Sequence, residues 1–314
     1  MIGLKVLAAC GLDAVLGDPR WLPHPVRLIG LLIQWYEYLA IRCCRGRVGQ
    51  YIVGVILALG LPTLCYASAQ WVIHIAGQFH DHIGSIVWIL LGYTTLAARD
   101  LFDHAIRVYH ALQAGALGEA QAAVSYIVGR DTENLSEPEV VRATIETVAE
   151  STSDGIIAPL FYLAVGGPPL ALAYKAINTL DSMIGHRSIK YRYFGWASAR
   201  FDDVLNWVPA RMTGVLFVLA SSLWLKSGAH AWRIFLRDGS KHSSPNSGWP
   251  EAAMAGGLHV QLGGTNFYNG TRLDYQLMGD DCHPLMPRQI LHAVQLMIVA
   301  SSLAGSLFVG ILCL

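Results

Sequence analysis

The 314-residue chain carries no net formal charge, is 54% hydrophobic and only 14% charged, far from the roughly quarter-charged make-up of a soluble domain. Those figures exclude a disordered chain, which lacks apolar surface to bury, and disfavour a nucleic-acid binder, which needs a basic face. A soluble enzyme is disfavoured as well, because the apolar residues gather into long uncharged runs rather than at amphipathic spacing.

In chain order, the first 17 residues form a short apolar run, interrupted by Lys5 and Asp13, that either crosses a membrane or lies in its surface. Leu7, Ala8, Ala9 and Cys10 spell a lipobox-like sequence, but only six residues precede it. A signal peptide needs a charged region and about 7 to 15 apolar residues there, so an uncleaved helix is expected. Tyr51 to His80 contains no Asp, Glu, Lys or Arg and exceeds the roughly 20 residues that span a bilayer. After a turn at His80, Asp81 and His82, the uncharged Ile83 to Ala98 is expected to return as a second arm.

Leu101, Ala105, Val108, Tyr109 and Leu112 fall on one face of an amphipathic surface helix. Ser136 and Glu139 form a capping box for a helix running to about Glu150. Gly155 to Tyr174 is apolar but interrupted by Gly166, Gly167, Pro168 and Pro169, which predicts a broken or re-entrant helix, since proline removes a donor and clashes with the preceding turn. Irregular backbone at membrane depth survives only beside protein or a wet cavity. Val208 to Trp224, apolar except for Arg211 and flanked by Trp207 and Trp224, has indoles at both expected headgroup levels. Ile290 to Leu314 closes the chain as an uncharged span.

The expected fold is all-α: a polytopic integral membrane protein of about five to six membrane segments, one broken or re-entrant, plus amphipathic surface helices. It reads as a single domain over 1–314 with polar loops at 18–50, 99–155, 178–206 and 226–289. Arg20, Arg27, Arg42, Arg45 and Arg47 in the first loop, and Arg99, Arg107, Arg130 and Arg142 in the second, place both on the cytoplasmic side. The cysteines at 10, 43, 44, 65, 282 and 313 show no paired spacing with each other or with histidines, so neither zinc nor a disulfide framework is expected.

Three polar clusters are candidates for chemistry. Arg142, Glu146 and Glu150 recur every four residues on one helix face, with Asp154 beyond. Such a stripe is either a solvated ion-paired face or a site for a cation or proton. Lys175, Asn178, Asp181 and Ser182 follow the Gly-Pro break, where ionisable groups are functional candidates unless they snorkel. Arg200, Asp202, Asp203 and Asn206 precede Arg211, although adjacent aspartates on a helix face different ways. The glycine-rich stretch His242 to Gly270, with Ser243, Ser244, Pro245, Asn246 and Ser247, matches no nucleotide-binding pattern and reads equally as a connecting loop or a phosphate cradle.

In order along the chain, Gly17-Asp18-Pro19-Arg20-Trp21-Leu22-Pro23-His24-Pro25-Val26, Gly129-Arg130-Asp131-Thr132, Glu146 to Glu150 with Asp154-Gly155, and Tyr174-Lys175 through Asn178 and Asp181 to Met183 form a motif series. Arg200, Asp202, Asp203 and Asn206 with Pro209-Ala210-Arg211, and then Ser244-Pro245-Asn246, complete it. The series resembles the adenosylcobinamide-phosphate synthases, the CobD/CbiB family of cobalamin biosynthesis, from about residue 10 to 270. His186-Arg187-Ser188 departs from the family's Tyr-Lys-Asn type sequence, and Leu277-Met278-Gly279 is a weak form of its ending.

The resemblance implies an ATP-consuming amide-forming ligase of the bacterial cytoplasmic membrane. It would join the propionate of adenosylcobyric acid to aminopropanol phosphate or the free amino alcohol, with Mg²⁺ and ATP. Corrinoid and amino alcohol phosphate are then its substrates, lipid and other membrane cobalamin-assembly enzymes its partners. For that reaction, Glu146, Glu150, Asp181, Asp202 and Asp203 are expected in catalysis, with Glu146, Glu150, Asp202 and Asp203 on the metal and Asp181 or Glu150 removing the proton from the amine. Asp18, His24, Arg130, Lys175, Asn178, Arg200, Asn206, Arg211, Ser244 and Asn246 would bind substrate. A transporter or corrinoid-binding membrane protein, using the broken helix as its site, is the competing expectation. A metal-dependent phospho-alcohol transferase is the third.

Overall fold

A computed structural model describes residues 2–19, 24–44, 46–185 and 190–313. The expectations on Arg20 to Pro23, on Arg45 and on His186 to Ser188 lie outside them. The protein is mostly helical, and among the described residues five segments are long and apolar enough to cross a membrane: Arg47–Phe79, Asp81–Gln113, Glu137–Ile184, Trp207–Trp224 and Pro287–Cys313. It is a multi-pass membrane protein by that criterion.

The chain divides into two compact units. The first comprises Met1–Ala97, Ala158–Asn206 and Gly305–Leu314. It holds α1 (Ile2–Leu16), α2 (Pro25–Cys43), α3 (Arg47–Phe79), α4 (Asp81–Tyr93), α8 (Ala158–Ile184) and α9 (Trp196–Leu205). Its core is aliphatic: Ile29 and Ile33 of α2, Leu57 and Leu61 of α3, and Ala176, Leu180 and Ile184 of α8 pack together, closed by Phe194.

The expected hairpin is present in α3 and α4, but its return arm stops at Tyr93 rather than Ala98. The hydroxyls of Thr94 and Thr95 donate to the carbonyls of Leu91 and Gly92, meeting acceptors that a continuing helix would have used. The helix break is also where it was expected: α8 loses helical geometry at Gly166 and Gly167, the latter at φ 70 and ψ −170, a region essentially reserved for glycine. The helix then restarts with Pro168 and Pro169, whose fixed φ suits a first turn.

The second unit comprises Ala98–Ile157 and Trp207–Ala304. It contains α5 (Ala98–Gln113), α6 (Leu117–Ser125), α7 (Glu137–Thr152), a π-helical turn (Ser153–Ile157), α10 (Trp207–Trp224), α11 (Gly228–Asp238) and α12 (Gly248–Leu258). A hairpin of β1 (Leu262–Tyr268) and β2 (Thr271–Met278) follows, then most of α13 (Pro287–Cys313). Leu101, Ala105, Val108 and Leu112 form the buried stripe of α5 as the spacing predicts, and Ser136 closes the capping box on α7, its N–H donating to Glu139 at 2.8 Å.

The glycine-rich stretch is neither a plain loop nor a phosphate loop of known pattern. Its first half forms α12, a helix whose small residues Ala252, Ala253, Ala255, Gly256 and Gly257 are all buried. Its second half is the antiparallel hairpin, turning at Asn269 and Gly270, both at positive φ. The Asn-Gly pair is the preferred two-residue hairpin turn, and the carboxylate of Asp131 holds it by accepting both turn N–H groups at 3.0 and 2.8 Å.

Candidate active site

In the second unit the charged stripe of α7 meets the hairpin. Glu146 accepts from Arg130 Nη2 at 2.5 Å through one carboxylate oxygen and from the Gly263 N–H at 2.8 Å through the other. Gly263 lies at φ 87, at an irregularity in the β1/β2 register, which turns its amide out of the ladder. Of the two readings of the stripe, the solvated Arg142–Glu146 pair does not hold: Glu146 bonds Arg130 instead. Arg142 Nη2 donates to Thr265 O and Asn266 Oδ1, each at 2.9 Å. Arg130 also donates to Asn266 Oδ1, so one amide oxygen serves two guanidiniums.

Glu150, one turn further along α7, accepts from the Ser247 hydroxyl at 2.8 Å. Next to these acids lies Glu251 of α12, buried, with His242 Nε2 at 3.9 Å from its carboxylate. Burial, and then the negative charges of Glu146 and Glu150, push the Glu251 carboxyl well above its ordinary range. A buried acid beside two others takes up a proton before it accepts a third uncompensated charge.

The same unit contains Arg211, whose guanidinium lies 4.3 Å from the Trp207 ring and 4.8 Å from the Trp249 ring. It donates to Trp207 O at 2.8 Å and reaches Asn246 Oδ1 and Pro245 O at 3.4 Å. Ser244 has a local duty, its hydroxyl oxygen accepting the N–H groups of Asn246 and Ser247 at the approach to α12.

In the first unit, a second polar centre joins α8 and α9. Asp202 is buried and accepts from Asn206 Nδ2 at 2.9 Å and, more weakly, from Asn178 Nδ2 at 3.4 Å. Asn206 is fixed in turn by the Tyr174 hydroxyl at 2.8 Å, and Tyr162 stacks on Tyr174. Burial and the nearby charge of Asp181 push Asp202 up to about 7, against the opposing effect of the two amide donors. Asp203 pairs with the exposed Arg200 at 3.1 Å. Lys175 lies half-buried one helical turn before Asn178. Asp18 and His24 approach to 3.2 Å without hydrogen-bond alignment.

Of the residues singled out from sequence, the fold gathers Asn178, Asp202 and Asn206 with the charge of Asp181, joins Arg130 to Glu146, and sets Arg211 against Asn246. Asn266, Ser247, Glu251 and Tyr174 were not singled out as site residues. The Asn-Gly turn was the signal for a strand carrying Asn266, and Ser247 followed by Gly248-Trp249-Pro250-Glu251 was a legible helix start.

The family profile described as CobD/Cbib protein matches residues 6–297. The chain is 54% identical to the cobalamin biosynthesis protein CobD of Geobacter metallireducens, over 90% of this chain and 88% of the relative. It is 46% identical to that of Klebsiella pneumoniae (96% and 94% covered) and 44% identical to the cobalamin biosynthesis protein CbiB of Salmonella typhi (99% and 98%). No solved structure matches the chain.

Proposed function

The chain belongs to the CobD/CbiB family of cobalamin biosynthesis proteins, the adenosylcobinamide-phosphate synthase family, and from that premise we propose that it is an ATP-dependent amide-forming ligase of the bacterial cytoplasmic membrane. It joins the propionate carboxylate of adenosylcobyric acid to the amine of aminopropanol phosphate, or of the free amino alcohol. A C–N bond forms, the elements of water leave, and ATP drives the dehydration. The observation that carries the reading is the polar pair of centres in an otherwise apolar chain: guanidiniums locked onto a carboxylate and an amide in one unit, and a carboxyl poised near neutrality in the other.

A carboxylate is a poor electrophile and an ammonium is no nucleophile, so the reaction needs charge stabilisation and a base. Asp202, pushed up to about 7, suits proton removal from the ammonium, with Asp181 as the charge that tunes it. Arg130, Lys175, Arg200 and Arg211 supply the cations for phosphate and carboxylate, the arginines by their two-pronged donors. Asp18, His24, Asn178, Asn206, Ser244 and Asn246 orient substrate.

The donor chemistry at Glu146 and Glu150 fits a hard divalent cation, since both offer oxygen alone, with lone pairs left beyond their hydrogen bonds to Arg130, Gly263 and Ser247. Glu146 and Glu150 would hold Mg²⁺, which supplies neutralising charge to phosphate oxygens. Asp203 is engaged by Arg200 and Asp202 by two amides, which favours proton handling over joint chelation for that pair.

The test is incubation of the detergent-purified protein with adenosylcobyric acid, aminopropanol phosphate, Mg²⁺ and ATP, with each omitted in turn. The expected product is the dehydrated adduct by mass spectrometry, dependent on ATP and lost in Asp202→Asn. Folded protein that binds corrinoid but forms no adduct under any condition would overturn the ligase in favour of binding or transport.

A further inference from the structure

We propose that His230, His259 and Cys282 form a metal site for a borderline-soft divalent ion of the zinc class, separate from the oxygen-rich centre at Glu146. One ligand atom from each of the three lies within 4.8 Å of the other two. The three come from different elements of the second unit: His230 from the first turn of α11, His259 from the end of α12, and Cys282 from the connection between β2 and α13.

The backbone presets two of them. His259 stands at φ 57 and ψ 38, the left-handed residue that ends α12, so its side chain leaves the direction the helix would have given it. Its carbonyl accepts the N–H of His283 at 2.9 Å, which ties the residue beside Cys282 to the end of α12. Cys282 itself is exposed, within reach of an ion from solvent.

The tautomer of His230 points the same way. Its Nδ1 lies 2.7 Å from the carbonyl of Gly256, and a carbonyl only accepts, so Nδ1 carries the proton. In the neutral ring the lone pair is then on Nε2, which would ligate once the His259 ring, now stacked on it at 4.2 Å between centroids, turns toward the same ion. A carbonyl that fixes the imidazole in this way is the usual outer support of a metal-bound histidine. Nε2 faces Asp280 Oδ2 at 3.1 Å, two acceptors at a separation that needs a cation or an added proton between them. Asp280 is itself held by Arg233 at 2.9 Å and Arg237 at 2.8 Å, which places an anchored carboxylate beside the ion to offset its charge.

Two imidazoles and a thiolate select zinc-class ions over Mg²⁺ or Ca²⁺, which prefer oxygen. On binding, the Cys282 thiol loses its proton to solvent and the sulfur bonds the metal. The ion would clasp α11, the end of α12 and the connection that leads into α13.

The experiment strips the detergent-purified full chain with chelator, then titrates Zn²⁺ alone and, separately, Co²⁺ as a spectroscopic substitute. One Zn²⁺ per chain, a rise in Tm on its addition, and a thiolate-to-Co²⁺ charge-transfer band are expected. Cys282→Ser should abolish the band and His230→Ala should weaken Zn²⁺ binding by at least the ~10–100-fold that outer-shell losses alone cost, while Cys65→Ser leaves both unchanged. Cys282 is exposed, so its variant tests the site without emptying a core position. Folded wild type that binds no stoichiometric Zn²⁺, or a charge-transfer band that persists in Cys282→Ser, overturns the proposal.

Discussion

The two units keep buried carboxylates by different means. In the second, Glu146 is met by a guanidinium and a backbone amide in a fixed arrangement. In the first, the donors to the Asp202 carboxylate among the described residues are two amides, with Asp181 and Asp203 nearby as like charges, so a proton does the neutralising. The contrast shows how one chain provides both a carboxylate locked into a fixed pair and a carboxyl that can gain and lose a proton, the second suited to moving a proton.

Arg130→Ala breaks the fixed arrangement most severely. It leaves Glu146 largely enclosed without its cation, and a loss of ~3–5 kcal/mol is expected from breaking a buried pair on one side. Denaturant unfolding in detergent measures it, and a loss below ~1 kcal/mol would place Glu146 in effective contact with solvent.

Asp202→Asn tests the switchable side. The folded protein holds the Asp202 proton up to about pH 7, whereas the unfolded chain releases it near the ordinary 3.8. The folded state therefore binds more protons in that window, and this group's contribution to stability falls as pH rises from about 4 through 7. The asparagine variant should flatten that part of the stability profile and lose the corresponding limb of the activity profile. A profile identical to wild type would show that Asp202 does not titrate there.

Glu251→Gln sharpens the comparison within the second unit. Because burial and the charges of Glu146 and Glu150 raise the Glu251 carboxyl, the wild type loses stability as pH climbs above the ordinary carboxylate range. The neutral amide should match wild type in acid and exceed it toward alkaline pH, by thermal unfolding at both ends. If the variant is uniformly weaker, the carboxylate is ionised and needed as such.

The smallest change in stability is expected for Arg200→Lys, since Arg200 is exposed and its pair with Asp203 is a surface one, worth ~0–1 kcal/mol. Its activity should fall all the same, because a lysine keeps the charge but not the two-pronged geometry for phosphate. Full activity with unchanged affinity for the amine substrate would remove Arg200 from substrate recognition.

Much of the architecture was legible because it is local. The uncharged runs, the capping box at Ser136, the stripe of α5 and the break at Gly166 and Gly167 all follow from composition and helical period. The hairpin was missed although Asn269 and Gly270 announced it, since the glycines around it obscured the alternation of a strand. The spacing of Arg142 and Glu146 correctly put both on one helix, but not which cation Glu146 would take.

By itself the sequence determined a membrane-embedded helical protein, its family, and the chemical types available to it, because hydrophobic runs, caps and motif order are properties of neighbouring residues. Tertiary structure alone decided that Arg130 and Arg142 share Asn266, that Asp202 is sealed among Asn178, Asn206 and the charge of Asp181, and that His230, His259 and Cys282 meet. Each of those arrangements joins residues from separate elements, brought together by the burial of apolar helix faces rather than by any attraction the polar groups could exert along the chain.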